Sequence, residues 1–230
     1  MHKSVLFAQT KHQKSSEKSF GWFALFAGFN LPIGDFNNDK NEARAGWAEV
    51  GWMAKADIGI NLLQNIGLVI TPTIFQNPVN KESVKGIIRA TGYTFEEIDT
   101  KPWIFKGILV GPEFQLPDVQ SPFFIKLQLG YIHATSPYLK HWVGTQSQSV
   151  YVEQKEATAG AFATNVGCGL KFDLNNIVLF TLAVEYVSTK PTFKDVEFTL
   201  NENGKSTYEF GEFDMHVTSI FPSIGLTWKL

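Results

Sequence analysis

The stretch Gly46–Leu62, GWAEVGWMAKADIGINL, constrains this chain more than any other. Its even positions are Gly46, Ala48, Val50, Trp52, Ala54, Ala56, Ile58, Ile60 and Leu62, with no charge or amide among them. Its odd positions include Glu49, Lys55, Asp57 and Asn61. A period of two puts alternate side chains on opposite faces of one extended strand. The run is far longer than the roughly five or six residues of a common strand. It therefore predicts a long strand with an apolar face and an ionic face, and the question is which face points out.

Seven further segments carry the same period: 20–31, 66–75, 103–116, 123–134, 159–172, 177–187 and 219–230. Most reach the roughly 9–11 residues that a tilted strand needs to cross a bilayer. The connections alternate. Leu63 to Asn65, Pro117 to Pro122 and Asp173 to Asn176 read as tight turns, whereas 32–45, 76–102, 135–158 and 188–218 are long. Short turns on one rim and long loops on the other are the outer-membrane barrel pattern. The long loops hold elements of their own. Asn80 to Thr91 predicts a short helix capped by Asn80, with Val84, Ile87, Ile88 and Thr91 on one face and Gly92 ending it. Val196 to Phe210 predicts a hairpin turning near Asn203-Gly204, and His141 to Ala157 a second one.

Composition limits the choices. The chain has 230 residues and a net charge of −2, with no bias toward nucleic acid. It has no apolar run of about 18 residues, which excludes a membrane helix but not a membrane barrel, whose apolar residues alternate with polar ones. Cys168 is the only cysteine, so neither an internal disulfide nor a cysteine-based zinc site is available. Residues 1–19 are polar and basic and are set apart from the barrel segment 20–230. Ser4 to Ala8 reads either as the tail of a secretory signal cleaved before Gln9 or as part of a polar leader.

Two architectures share this alternation: a soluble lipocalin-like carrier with an apolar lumen, and a membrane barrel with an apolar exterior. Three features favour the second. The first is the loop alternation. The second is a set of aromatics on the apolar face near the short-turn ends, Phe114, Phe123, Phe172 and Trp228, where an interfacial girdle belongs. The third is charge balance on the opposite face, with Glu49, Asp57, Glu113 and Glu185 against Lys55, Lys126, Lys171 and Lys229. An eight-stranded barrel is filled by its own side chains, and buried charges must pair. These eight residues are expected to form an interior ion-pair network. Pro72, Pro112 and Pro222 fall inside strands, where bulges are expected. Lys106 lies on the outer face near a strand end, within snorkelling reach of lipid phosphates.

Enzymatic chemistry is not expected. His133 with Ser136 and His216 with Ser219 do not have the spacing of an outer-membrane lipid hydrolase, although that class stays open as a third reading. No cofactor or metal is expected. In the loops Trp142, Tyr151, Phe198, Tyr208 and Phe210 are candidates for recognition of a surface protein or ligand.

The segments GFNLPIGDF (28–36), WIFKGILVGPEFQL (103–116), AFATNVGCGLKFDL (161–174) and SIGLTWKL (223–230) resemble the small outer-membrane β-barrel proteins of Bacteroidetes-type bacteria, the porin or PorT-like family with an OmpA- or OmpX-like barrel. The resemblance implies an all-β, eight-stranded, antiparallel, up-and-down barrel in a bacterial outer membrane. It also implies contact with outer-membrane lipid and lipopolysaccharide. Barrels of this family usually end in an aromatic residue recognised by the barrel-assembly machinery. Here the last residue is Leu230, with Trp228 on the same face.

Overall fold

The computed structural model describes residues 20–39, 45–90, 94–116, 123–145, 148–202 and 204–230. The strands in chain order are β1 (Gly21–Ile33), β2 (Gly51–Leu63), β3 (Ile66–Asn77), β4 (Thr94–Thr100), β5 (Trp103–Gln115), β6 (Phe123–Thr135), β7 (Leu139–Thr145), β8 (Gln148–Gln154), β9 (Thr158–Asp173), β10 (Val178–Thr189), β11 (Thr192–Glu202), β12 (Lys205–Asp214) and β13 (Val217–Lys229). One helix, α1 (Lys81–Ala90), lies between β3 and β4. Eight strands close into an antiparallel barrel in the order β1-β13-β10-β9-β6-β5-β3-β2, and a second sheet has the order β12-β11-β8-β7-β4.

The eight barrel strands are the eight periodic segments of the sequence. Closure comes from β1 on β13, in register from Trp22 opposite Lys229 to Ile33 opposite Thr218. Backbone bonds from Phe20 N–H to the Leu230 carbonyl (3.0 Å) and from Leu230 N–H to the Gly21 carbonyl (2.9 Å) fasten the end of that seam. The opening stretch is shorter as a strand than its pattern, because β2 starts only at Gly51. Residues 46–50 instead cross the barrel mouth, where Ala48 bridges to Val79 and its N–H reaches the Phe36 carbonyl at 3.0 Å.

The apolar face is the outer face. Leu25, Ile58, Ile70, Ile108, Leu129, Val166, Val184 and Ile224 are exposed, while Lys55, Asp57, Glu113, Lys126, Lys171 and Glu185 are buried inside. This inversion is the arrangement of a membrane-spanning barrel and rules out a lipocalin-like carrier with an apolar lumen. From Trp52 to Leu62 the exposed apolar row covers about 25 Å along the axis, taking roughly 3.3 Å per residue and a tilt near 40°. That equals the height of about 25 Å of the apolar band on membrane barrels.

The prolines differ from expectation. Among the described residues no bulge lies at Pro72, Pro112 or Pro222, and the ladders keep one register across each. Lys55↔Thr73 and Ile58↔Ile70 flank the first, Val110↔Leu129 and Glu113↔Lys126 the second, and Gly28↔Ser223 and Leu31↔Ile220 the third. Each proline stays paired on its other side, with Ile108, Leu68 and Val184 respectively. A missing N–H removes a bond toward only one neighbour, and the other neighbour holds the alignment.

The interior is filled in two zones. The zone toward the short turns holds the ion pairs beside inward Trp22, Phe26 and Phe124, and the zone near the long connections is aromatic and aliphatic, so the inward charges fill only part of the barrel. Met53, Phe75, Phe105, Leu109, Ile132 and Phe221 form the upper zone. Their side chains point inward beside ionic ones because both have the same strand parity. Phe75 stacks on Phe105 at 4.6 Å between ring centroids. Large side chains fit where neighbours have none. Trp22 occupies the space left by Gly59 and Gly67, where a Cβ would collide with its ring. Above, Phe36 is fully buried and packs edge-on against Trp103 (5.8 Å) and Phe105 (5.7 Å). The Trp103 indole N–H donates to the Gly46 carbonyl at 3.0 Å and pins this cap.

Helix α1 is capped as expected, with the Ser83 N–H donating to Asn80 Oδ1 at 3.0 Å, and Val84 is buried. The leader 1–19, the turn 117–122, Thr91, Gly92, Asn203 and the side chains of Ile87 and Ile88 lie outside what the structure describes. Both predicted hairpins form, as β7–β8 and β11–β12. Strand β4 was not anticipated; it extends the hairpin sheet by pairing with β7.

We expect the folded protein to need detergent or lipid and to migrate differently on a denaturing gel before and after boiling. A monodisperse protein in plain buffer would contradict the outward apolar face.

Candidate functional site

Two constellations stand out, one inside the barrel and one above it. Inside, Lys126 on β6 is fully buried, and its ammonium donates to Asp57 Oδ2 (2.8 Å) and Glu185 Oε1 (2.8 Å). Lys55 on β2 shares the same Glu185 oxygen. The second oxygen of each carboxylate also accepts a hydrogen bond. Thr71 donates to Asp57 Oδ1 (2.6 Å), and Gln128 donates to the Thr71 hydroxyl (2.8 Å). Asn165 donates to Gln128 Oε1 (2.9 Å) and to Glu185 Oε2 (3.1 Å). Two lysines and two carboxylates on β2, β6 and β10, joined by Thr71 on β3 and Asn165 on β9, thus bind five strands into one neutral, hydrogen-bonded knot. Gly167 leaves the room that the Glu185 stem occupies.

A second pair, Lys171 with Glu113, lies apart from this knot, and Gln115 donates to Glu113 Oε1 at 3.2 Å. The lysines also face rings: Lys55 lies 4.4 Å from the Phe26 centroid, and Lys171 lies 5.0 Å from Trp22 and 4.8 Å from Phe124. Such cation–π contacts add attraction where water is excluded.

Six of the eight expected network residues are therefore inside. Glu49 and Lys229 are not. Glu49 precedes β2 and is exposed, and its backbone carbonyl accepts from Asn77 Nδ2 at 2.8 Å. Lys229 has inward parity but sits at the strand end, where it pairs with Asp173 in solvent (2.8 Å). Parity alone does not say how deep a residue lies. Thr71 was missed as a member. Its inward parity follows from the period, but its place between Asp57 and Gln128 was visible only once strand neighbours were known.

The short-turn rim carries Phe114, Phe123, Phe172 and Trp228 on the outer face, joined by Phe23, which is 5.9 Å from Trp228, and Phe180, which is 6.4 Å from Phe172. A second aromatic set, Phe29, Trp52, Tyr131, Phe162 and Tyr186, is exposed toward the long connections. It went unread because single aromatics in an apolar row look like any other apolar residue. Neither of the His/Ser pairs set aside on spacing comes together. His133 points outward while the Ser136 hydroxyl accepts the Ala157 N–H (2.9 Å), and His216 lies at the rim, 3.3 Å from Ser188.

The second constellation is the five-stranded sheet. Register places Trp142, Tyr151, Tyr208 and Phe210 on one of its faces. Trp142 and Tyr151 pack at 4.8 Å, and the Lys140 ammonium lies 5.0 Å and 4.4 Å from their rings. Glu153 accepts from the Tyr138 hydroxyl at 3.0 Å. Burial and this carboxylate push the Tyr138 phenol up to about 12. On the other face His141 is partly buried, which holds its imidazole below the usual range. Phe198 is corrected: it lies on that opposite face and packs against the main core. Tyr208 and Phe210 stay exposed, and β12 is an open edge of the sheet.

Fold and surface together define a membrane-spanning β-barrel. No family model matches the chain, so the resemblance to a PorT-like family gains no support, and no curated protein matches. Solved structures that align with it include OprG, an outer membrane protein from Pseudomonas aeruginosa (13% identity, TM-score 0.47, covering 92% of this chain and 98% of that one). Others are Ail, the attachment invasion locus protein of Yersinia pestis (12%, 0.45, 90% and 97%), and Neisserial surface protein A (12%, 0.43, 91% and 97%). The architecture stated above rests on this chain's own strand order.

Removing Lys126 leaves two buried carboxylates short of a donor. Lys126→Met should therefore lower unfolding stability by about 3–5 kcal/mol. Lys126→Met with Asp57→Leu leaves the neutral Lys55–Glu185 pair and should cost less than Lys126→Met alone. Urea unfolding of the barrel in lipid vesicles reads both.

Proposed function

We propose that the protein is a non-enzymatic barrel of a bacterial outer membrane, an anchor that presents a recognition sheet at the cell surface. A closed barrel is one of the two backbone solutions that span lipid, and the pattern of short and long connections is that of outer-membrane barrels. The short turns face the periplasm and the long connections face outside. The seam strand β13 is the part offered to the barrel-assembly machinery during insertion.

The observation that carries this reading is the filled interior. The ionic knot occupies the barrel, the Phe75–Phe105–Phe221 cluster lies above it, and Phe36 closes the mouth. A permeant solute would have to break buried ion pairs and displace packed rings. That argues against narrow transport and leaves the sheet as the working surface. Its aromatic face and the open β12 edge suit a protein or ligand that uses ring contacts and strand pairing.

Planar-bilayer recording should show no stable conductance. A reproducible open channel would overturn the filled-barrel reading. A photo-crosslinker at Phe210 on intact cells should give discrete protein adducts, whereas the same probe at Leu62 should give none. Absence of adducts at Phe210 would remove the recognition role.

A further inference from the structure

We propose that Lys106 and His133, with the Tyr131 hydroxyl, clamp the phosphate of a membrane lipid against the outer wall of the barrel, near the long connections. This rests on the membrane reading above and adds to it a specific lipid site.

The outward positions of the eight barrel strands are almost wholly apolar. Among the described residues Lys106 and His133 are the only Lys, Arg, His, Asp or Glu on that face. They are not scattered. Lys106 on β5 and His133 on β6 are direct register partners. Directly opposed side chains have Cβ atoms about 4.5–5.5 Å apart. Two bases placed side by side with no acid on the same face make a site that lacks an anion.

A third donor is brought in by shape. His133 faces Gly160 on β9, and Tyr131 faces Phe162. A Cβ on Gly160 would collide with the Tyr131 hydroxyl, so the tyrosine leans across β9 into the space that Gly160 leaves. The Tyr131 ring is held edge-on against Phe162 at 6.0 Å. The lean carries its hydroxyl to the rung of His133 and Lys106.

Height fits a lipid headgroup. Lys106 is near the start of β5 and His133 near the end of β6, both at the end of the long connections. Beneath them Ile108, Leu129 and Phe162 are exposed and apolar, a surface for acyl chains. A lysine ammonium on a lipid-facing wall is costly at the bilayer midplane and nearly free at the interface. A lysine ammonium, an imidazole N–H and a phenolic hydroxyl at the interface are donors for phosphate oxygens, and each bond is assisted by the phosphate's charge. The ligand is an anionic, phosphate-bearing lipid rather than free phosphate, because the apolar surface continues directly below the donors.

The test uses the refolded barrel in zwitterionic detergent, with native mass spectrometry reading retention of dioleoyl phosphatidic acid. Wild type should retain it. Lys106→Gln and His133→Gln should each weaken retention about tenfold, the usual scale for losing a hydrogen bond to a charged group. Lys106→Arg should preserve it. Equal retention by wild type and the double variant K106Q/H133Q overturns the clamp, as does a Lys106→Arg variant as weak as Lys106→Gln. Displacement by inorganic phosphate at equal concentration overturns the lipid assignment in favour of a soluble-anion site. The heat-dependent gel shift reports separately on the barrel. If it persists while retention is indifferent to these changes, only the clamp fails.

Discussion

The seam between β1 and β13 is the interaction on which everything else depends. In lipid, an unpaired backbone N–H or carbonyl costs several kcal/mol, so a sheet with free edges cannot stay there. Closing the sheet leaves no free edge and fixes the two faces as outside and inside. Once the apolar face is outside, the ionic face has no solvent to meet. It must neutralise itself, and Lys126 does this by holding Asp57 and Glu185 together while Lys55 completes the balance.

The same closure explains why glycines and large aromatics are mixed in the strands. A barrel of eight strands has room for side chains and little more. Trp22 can lie inward only because Gly59 and Gly67 leave space on neighbouring strands. The upper zone is stacked rings, and these continue through Trp103 and Phe36 into the cap and through Phe193 and Phe213 into the second sheet. One aromatic core therefore joins the barrel to the sheet above it, which gives the exposed Tyr208 and Phe210 a rigid base.

Much of this was legible in the sequence, because a period of two survives whatever the tertiary partners are. All eight barrel strands, both hairpins and the Asn80 cap follow from local pattern. Six of eight interior charges follow from parity. What failed was depth and context. Glu49 and Lys229 have the right parity but lie at strand ends. Phe198 looks like Phe210 in sequence, yet a hairpin has two faces and only one is covered. Strand β4 pairs with a segment some forty residues away, so no local signal marks it.

Alternation, loop spacing and charge balance by themselves determined eight long strands with one apolar and one ionic face, and they favoured the apolar face as the outer wall, since period and turn positions are written in local sequence. The tertiary structure alone decided which lysine meets which carboxylate, that Phe36 closes the mouth, and that Lys106 stands beside His133. Those are contacts between residues far apart in the chain, and register across the barrel is set by the summed fit of all eight strands.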